Sequence, residues 1–143
     1  MLRLPTLAHD DAGAAALEFL TIGVLMLVPL AYLVLALGQI QAQALGVEAG
    51  ARFAARTIAG GVGDPDAVLA SVTGQYGIDA FDADVTCVPA TATCPAAGAT
   101  IRVTVTARVP LPLVPPALGL DRLTSVPVQA TAVQKVSRYW EAQ

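Results

Sequence analysis

From Phe19 to Leu37 the chain runs for nineteen residues without a charge. At 1.5 Å per residue a helix over this stretch is about 28 Å long, close to the ~30 Å hydrocarbon core of a bilayer. Twelve of the nineteen residues are Leu, Ile, Val or Phe. At about −0.3 to −0.6 kcal/mol each, they favour insertion by roughly 4–7 kcal/mol before penalties. The competing reading is a core helix of a soluble protein. The roughly eighty residues beyond position 60 are too few to wrap such a helix on every side. A cleaved secretory signal has an apolar core of about 7–15 residues and a small-residue cleavage site. This run is longer, and it passes without such a site into Gln39-Ile40-Gln41-Ala42-Gln43. The expectation is therefore one membrane-spanning helix, with its apolar segment at 19–37.

The helical pattern does not stop at the end of the apolar run. Past Gly38 the apolar positions fall at Ile40, Ala44, Val47, Ala51, Ala54 and Ile58, alternating steps of 4 and 3. Gln41, Glu48, Arg52 and Arg56 lie largely off that stripe, and Glu48 precedes Arg52 in the favourable i,i+4 order. Gly60, Gly61 and Gly63 end the helix. One helix thus spans 14–60, its first half suited to lipid and its second half to protein. Pro29 removes one backbone hydrogen bond within it, which membrane helices tolerate. The second half is rich in small residues, among them Ala42, Gly46, Ala49, Gly50 and Ala54. Such residues admit a second backbone at close range. That neighbour is either the chain's own domain or another helix of the same kind, and composition does not choose between them.

Residues 61–143 read as a small α+β domain. Asp64 suits a helix N-cap and Pro65 the first helical turn, for a short helix running to about Tyr76 and stopping at Gly77. Asp84–Val88 is a weak strand carrying Cys87. Thr100–Val109 is a strong one, with Ile101, Val103, Val105, Ala107 and Val109 alternating with polar residues. Positions 110–116 hold four prolines and read as an irregular loop. Alternation at Val126, Val128, Ala130 and Ala132 gives a third strand over about 124–136. Three strands with one apolar face pack on the long helix as an antiparallel sheet. The two cysteines, Cys87 and Cys94, form a close pair that in an exported domain reads as a disulfide. Two buried free thiols are the other reading.

Composition narrows the chemistry. The chain is 13% charged, with net charge −3 and no basic run, so it lacks the electrostatic footprint of nucleic-acid binding. Its one histidine, His9, precedes the helix, which leaves the domain without a Ser-His or Cys-His pair or a histidine metal ligand. Gly60-Gly61-Val62-Gly63 lacks the Lys-Ser/Thr of a phosphate loop. Asp79, Asp82 and Asp84 do not have the spacing of an EF-hand and suit turns and caps. The expectation is a protein without catalytic residues, metal or cofactor.

The start of the helix carries the most specific pattern. Gly13 is followed by Ala14-Ala15-Ala16-Leu17-Glu18-Phe19, then the apolar run, then Ala49-Gly50-Ala51-Arg52-Phe53-Ala54-Ala55-Arg56. This resembles the TadE/TadG-like proteins of tight-adherence (Flp) pili, which are type IV-like minor pilins or pseudopilins. The resemblance covers most of the chain from Gly13 onward. It implies a leader of residues 1–13 and cleavage by a prepilin peptidase between Gly13 and Ala14. In the mature chain Glu18 would stand fifth and Phe19 sixth, both acting in assembly. The implied partners are the membrane, the peptidase, other pilin-like subunits and the Tad assembly machinery, with the 61–143 domain extracytoplasmic. The leader departs from the family pattern, having Asp10 and Asp11 where basic residues are usual. The positive-inside count sets Arg3 against Arg52 and Arg56, so orientation follows from the resemblance and the cysteines. Cleavage exposes an α-amino group on Ala14 that is mostly cationic near neutral pH; it lies one turn from Glu18 of its own chain, and in an assembly a neighbour displaced along the axis can bring its own terminus to Glu18. An unpaired interfacial acid is the plainer role for Glu18, and a turn glycine the plainer role for Gly13. The alternative function is an uncleaved, membrane-anchored binding module outside any filament.

Overall fold

The computed structural model describes residues 11–90, 93–112 and 124–140. Their elements run in the order α1 (Asp11–Gly60), α2 (Pro65–Gly74), β1 (Phe81–Val88), β2 (Thr100–Pro110) and β3 (Ser125–Lys135). The fold is α+β: a long N-terminal helix with a small three-stranded antiparallel sheet. The chain divides into two compact units, 1–35 and 36–143, and α1 contributes to both.

The first unit is α1 alone among the described residues. Its large apolar side chains lie open, with Phe19 77% and Leu25 70% exposed. Only 6% of the most apolar eighteen-residue window of α1 is buried, and α1 is the one described helix long and apolar enough to cross a membrane. A core helix would have its apolar side chains covered; these are not. The architecture is that of a chain with a single candidate membrane span near its N-terminus. Pro29 sits inside α1 without ending it. The Thr21 hydroxyl, a polar group within the apolar run, donates to the Leu17 carbonyl at 2.7 Å and so carries its own partner into an apolar medium. Residues 11–13, expected within the leader and poor helix material, are helical.

The second unit has the core. The sheet order is β1-β2-β3, with β2 central. Ile101, Val103, Val105, Ala107 and Val109 of β2 are all buried, while Arg102 and Arg108 between them are exposed. The register places Ala132 beside Val103, Ala130 beside Val105 and Val128 beside Ala107, extending the apolar face across β3. Val47, Ala51, Ala54 and Ala55 of α1 pack into the same cluster, with Leu69 of α2 and Val136 beyond β3. The stripe expected from the 3–4 spacing is thus the buried face of the outer half of α1. On the opposite, polar face of the sheet the Thr104 and Thr131 hydroxyls lie 3.1 Å apart, and Gln129 Nε2 donates to Thr106 Oγ1 at 3.3 Å. Pro127 falls within β3, opposite Arg108, and is tolerated because β3 is an edge strand among the described residues.

Local chemistry sets the element ends. Asp64 Oδ1 accepts from the backbone N–H of Asp66 at 2.9 Å and of Ala67 at 3.3 Å, an N-cap with Pro65 in the first turn. Regular α2 closes at Gly74, two residues short of the expected end. Ile78 N–H then donates to the Thr73 carbonyl and Gly77 N–H to that of Gly74, a Schellman closure with Gly77 at φ +70°. β1 begins at Phe81 rather than Asp84. Phe81–Ala83 pair with Ala107–Val105. Asp82 and Asp84, poor strand formers, are exposed on the polar face of an edge strand, where water solvates them. Cys87 and Cys94 form a disulfide with their Cα atoms 5.9 Å apart, tying β1 to the following loop. Of the proline-containing stretch at 110–116, residues 113–116 lie outside the described residues.

Candidate assembly segment

Gly13, Ala14, Glu18 and Phe19 all lie on α1 in the first unit, and all are exposed. An added Cβ on Gly13 meets nothing within 4 Å. Ala14 and Glu18 are four residues apart and share a helix face. Glu18 is the only charged residue between Gly13 and Val47. The Gly13–Ala14 peptide bond lies within α1.

The small residues of the outer half divide between two surroundings, which the sequence did not resolve. Gly50 faces α2 and Gly46 the turn that follows it: a Cβ on Gly46 would lie 2.6 Å from Tyr76 Cβ and Cγ, and one on Gly50 would lie 2.7 Å from Leu69 Cδ1. The Gly-x-x-x-Gly spacing, the usual sign of close pairing between membrane helices, is here occupied by the domain's own second helix and the turn that closes it. Ala51, Ala54 and Ala55 are buried under the sheet. Gly38, Ala42 and Leu45 stay exposed, Ala49 is half-buried, and Phe53 is 48% exposed. Glu48 and Arg52 form an ion pair beside them, and the Arg56 guanidinium sits 5.9 Å from the centre of the Phe53 ring. Nothing in the sequence separates Gly46 from Ala42. Only the position of Tyr76 does.

The second unit also has a cleft of about 420 Å³, lined in part by Gln43, Asp79, Asp82 and Arg108. Gln43 is 7% exposed, a burial that sequence reasoning missed because it falls just beside the apolar stripe. Asp79 precedes β1, while Asp82 and Asp84 lie on it. Among the described residues no three His, Cys, Asp or Glu side chains are grouped so as to hold a metal ion. Compared with protein-family models, with curated proteins and with solved structures, the chain matches none.

Proposed function

We propose that the chain is a structural subunit of a tight-adherence (Flp) pilus system, a TadE/TadG-like minor pilin or pseudopilin. It is cut after Gly13 and assembles through its N-terminal helix, with the domain beyond Gly60 outside the cytoplasmic membrane. One observation carries the reading: a helix with its large apolar side chains open carries Gly13-Ala14 just before the apolar run, then a single acid, Glu18, beside Phe19. A membrane helix that only anchors a domain tolerates a carboxylate near its start but does not require one. A subunit whose new amine must find a neighbour does, because the attraction between the two charges strengthens as water is excluded. The protein performs no catalysis and holds no cofactor. Its disulfide suits an oxidising compartment.

The test is the intact mass of the protein made beside a prepilin peptidase. A loss of about 1.3 kDa, thirteen residues at the chain's average mass, supports cleavage after Gly13. A product that keeps Met1 defeats it. Glu18→Ala is expected to leave membrane insertion intact and to lower incorporation into assembled pili; unchanged incorporation would remove Glu18 from the mechanism. The second reading, an uncleaved membrane-anchored binding module, is favoured by the cleft around Gln43. It would gain from a chain that stays at full mass and monomeric in cells holding the complete export apparatus.

A further inference from the structure

β1 is shorter than its neighbour. Its first pair is Phe81 with Ala107, whereas β2 runs on to Pro110 and is paired with β3 throughout. Continued in register, β1 would set Ala80 opposite Arg108 and Asp79 opposite Val109. Both residues instead line the cleft of about 420 Å³ beside Gln43. The backbone of β2 turns toward this gap. Leu111 N–H donates to the Thr124 carbonyl at 2.9 Å and Val136 N–H to the Ala99 carbonyl at 2.8 Å. Successive residues of an antiparallel strand point their N–H and C=O to opposite sides. Odd positions along β2 therefore serve β3, and the carbonyls of Arg108 and Pro110 point to the side on which β1 offers no strand.

Gln43 closes the same cleft from α1. Two polar residues are buried among the described residues, Gln43 and Thr73. Thr73 Oγ1 donates to the Leu69 carbonyl at 2.9 Å. Gln43 is 7% exposed and makes no hydrogen bond among the described residues, yet its amide is not sealed from solvent; it opens on the cleft. A buried amide without a partner is costly, and a ligand with an amide of its own removes that cost. A primary amide offers a donor and an acceptor together, which matches the peptide group. The charged residues lining the cleft are Asp79, Asp82 and Arg108, two acids against one base. Both acids are exposed, and neither is in an ion pair, since the described residues form one only, Glu48 with Arg52.

We propose that this cleft binds a short extended peptide with a basic side chain. The peptide lies along Arg108–Pro110, in the place that β1 leaves empty, and adds its N–H groups to the carbonyls of β2. Gln43 pairs with one of its amides at the floor of the cleft. A Lys or Arg of the peptide meets Asp79 and Asp82. The three observations point the same way: an incomplete register needs a strand, an unpaired buried amide needs an amide, and two unpaired acids need a cation. The inference gives the binding-module reading its ligand class. The cleft lies wholly within the second unit, so a chain cut after Gly13 binds the same peptide, and no result below bears on the mass of the mature chain.

The test uses the full chain in detergent micelles with its disulfide intact. The probes are two acetylated, amidated pentapeptides, one alternating valine with lysine and one alternating valine with glutamate, and lysine amide alone. Calorimetry measures binding, and the side-chain amide signal of Gln43 in a nitrogen-15 spectrum reports where it occurs. The lysine peptide is expected to bind with a Kd of about 1 mM or tighter and to shift the Gln43 signal, with the glutamate peptide several-fold weaker. Gln43→Leu is expected to weaken the lysine peptide about tenfold without lowering the urea midpoint of the domain, because it removes an amide that had no partner in the free protein. Asp79→Asn with Asp82→Asn, both at exposed positions, is expected to remove the preference for lysine over glutamate while the domain stays folded. No binding of the lysine peptide, or binding that leaves the Gln43 signal unmoved, overturns the site. Lysine amide binding as tightly as the pentapeptide overturns the added strand, and a charge preference that survives loss of both acids overturns their part in it.

Discussion

The two halves of α1 are built from similar material and meet different surroundings. From Phe19 to Leu37 the helix is uncharged and most of its large apolar side chains are open. From Val47 to Ile58 it is apolar along one stripe, and that stripe is closed under three strands and a second helix. Residue size marks the change: Leu and Val crowd the first half, Ala and Gly the second. Large branched side chains favour transfer into hydrocarbon, where bulk is useful and no close neighbour need fit. Small ones suit a face on which another backbone rests. A long hydrophobic helix therefore says less about burial than the sizes of its side chains do.

The sharpest way to break this comparison is to place a charge in each region. Val105→Asp, in the centre of the sheet at 0% exposure, is expected to cost about 4 kcal/mol or more and to unfold the domain, read by urea titration with Trp140 fluorescence. Val28→Asp in the apolar run is expected to leave that titration unchanged. It should weaken membrane insertion by about 2.5–3.5 kcal/mol, read by alkaline extraction of membranes. If Val28→Asp destabilised the domain as much as Val105→Asp, the two halves would not be independent.

A smaller effect follows from the staple that only the second unit has. The disulfide closes a loop of sequence separation 7, and opening it by Cys87→Ser with Cys94→Ser should remove about 2–3 kcal/mol of domain stability. Thermal unfolding with and without the pair measures this, and an unmoved midpoint would show that the sheet holds the loop unaided. The smallest effect separates the glycines. Gly46→Ala drives a methyl to 2.6 Å from Tyr76 and should cost about 1–3 kcal/mol, because the turn after α2 must shift. Gly23→Ala enters open space on the same helix and should leave the unfolding midpoint of the domain where it is. Equal effects from the two would mean that Tyr76 does not press on Gly46.

Much of the architecture was legible from periodicity. The 3–4 stripe of Ile40 to Ile58 and the alternation of Ile101 to Val109 are direct imprints of one-sided burial, and Asp64-Pro65 and Gly77 are local signals whose geometry needs no distant partner. At the start of β1 a longer-range force decided. β1 gained Phe81–Ala83 because β2 was there to pair with them. The candidate cleavage and assembly residues were legible as a pattern, Gly13 to Phe19, since their chemistry depends on spacing along one helix. Gln43 was not, because its burial depends on what packs around it and not on its own character.

The sequence by itself determined that this protein has one long helix with an uncharged run near its start, a short capped helix, three strands and a cysteine pair. Each of these is written in the order of residues a few positions apart, and the forces that set them act over one or two turns. The tertiary structure alone decided which small residues of the outer half are spent on the domain's own packing and which remain exposed. Gly46 and Ala42 look alike as letters. They differ only because Tyr76, in the turn after α2 and thirty residues further along the chain, presses on one and leaves the other uncovered.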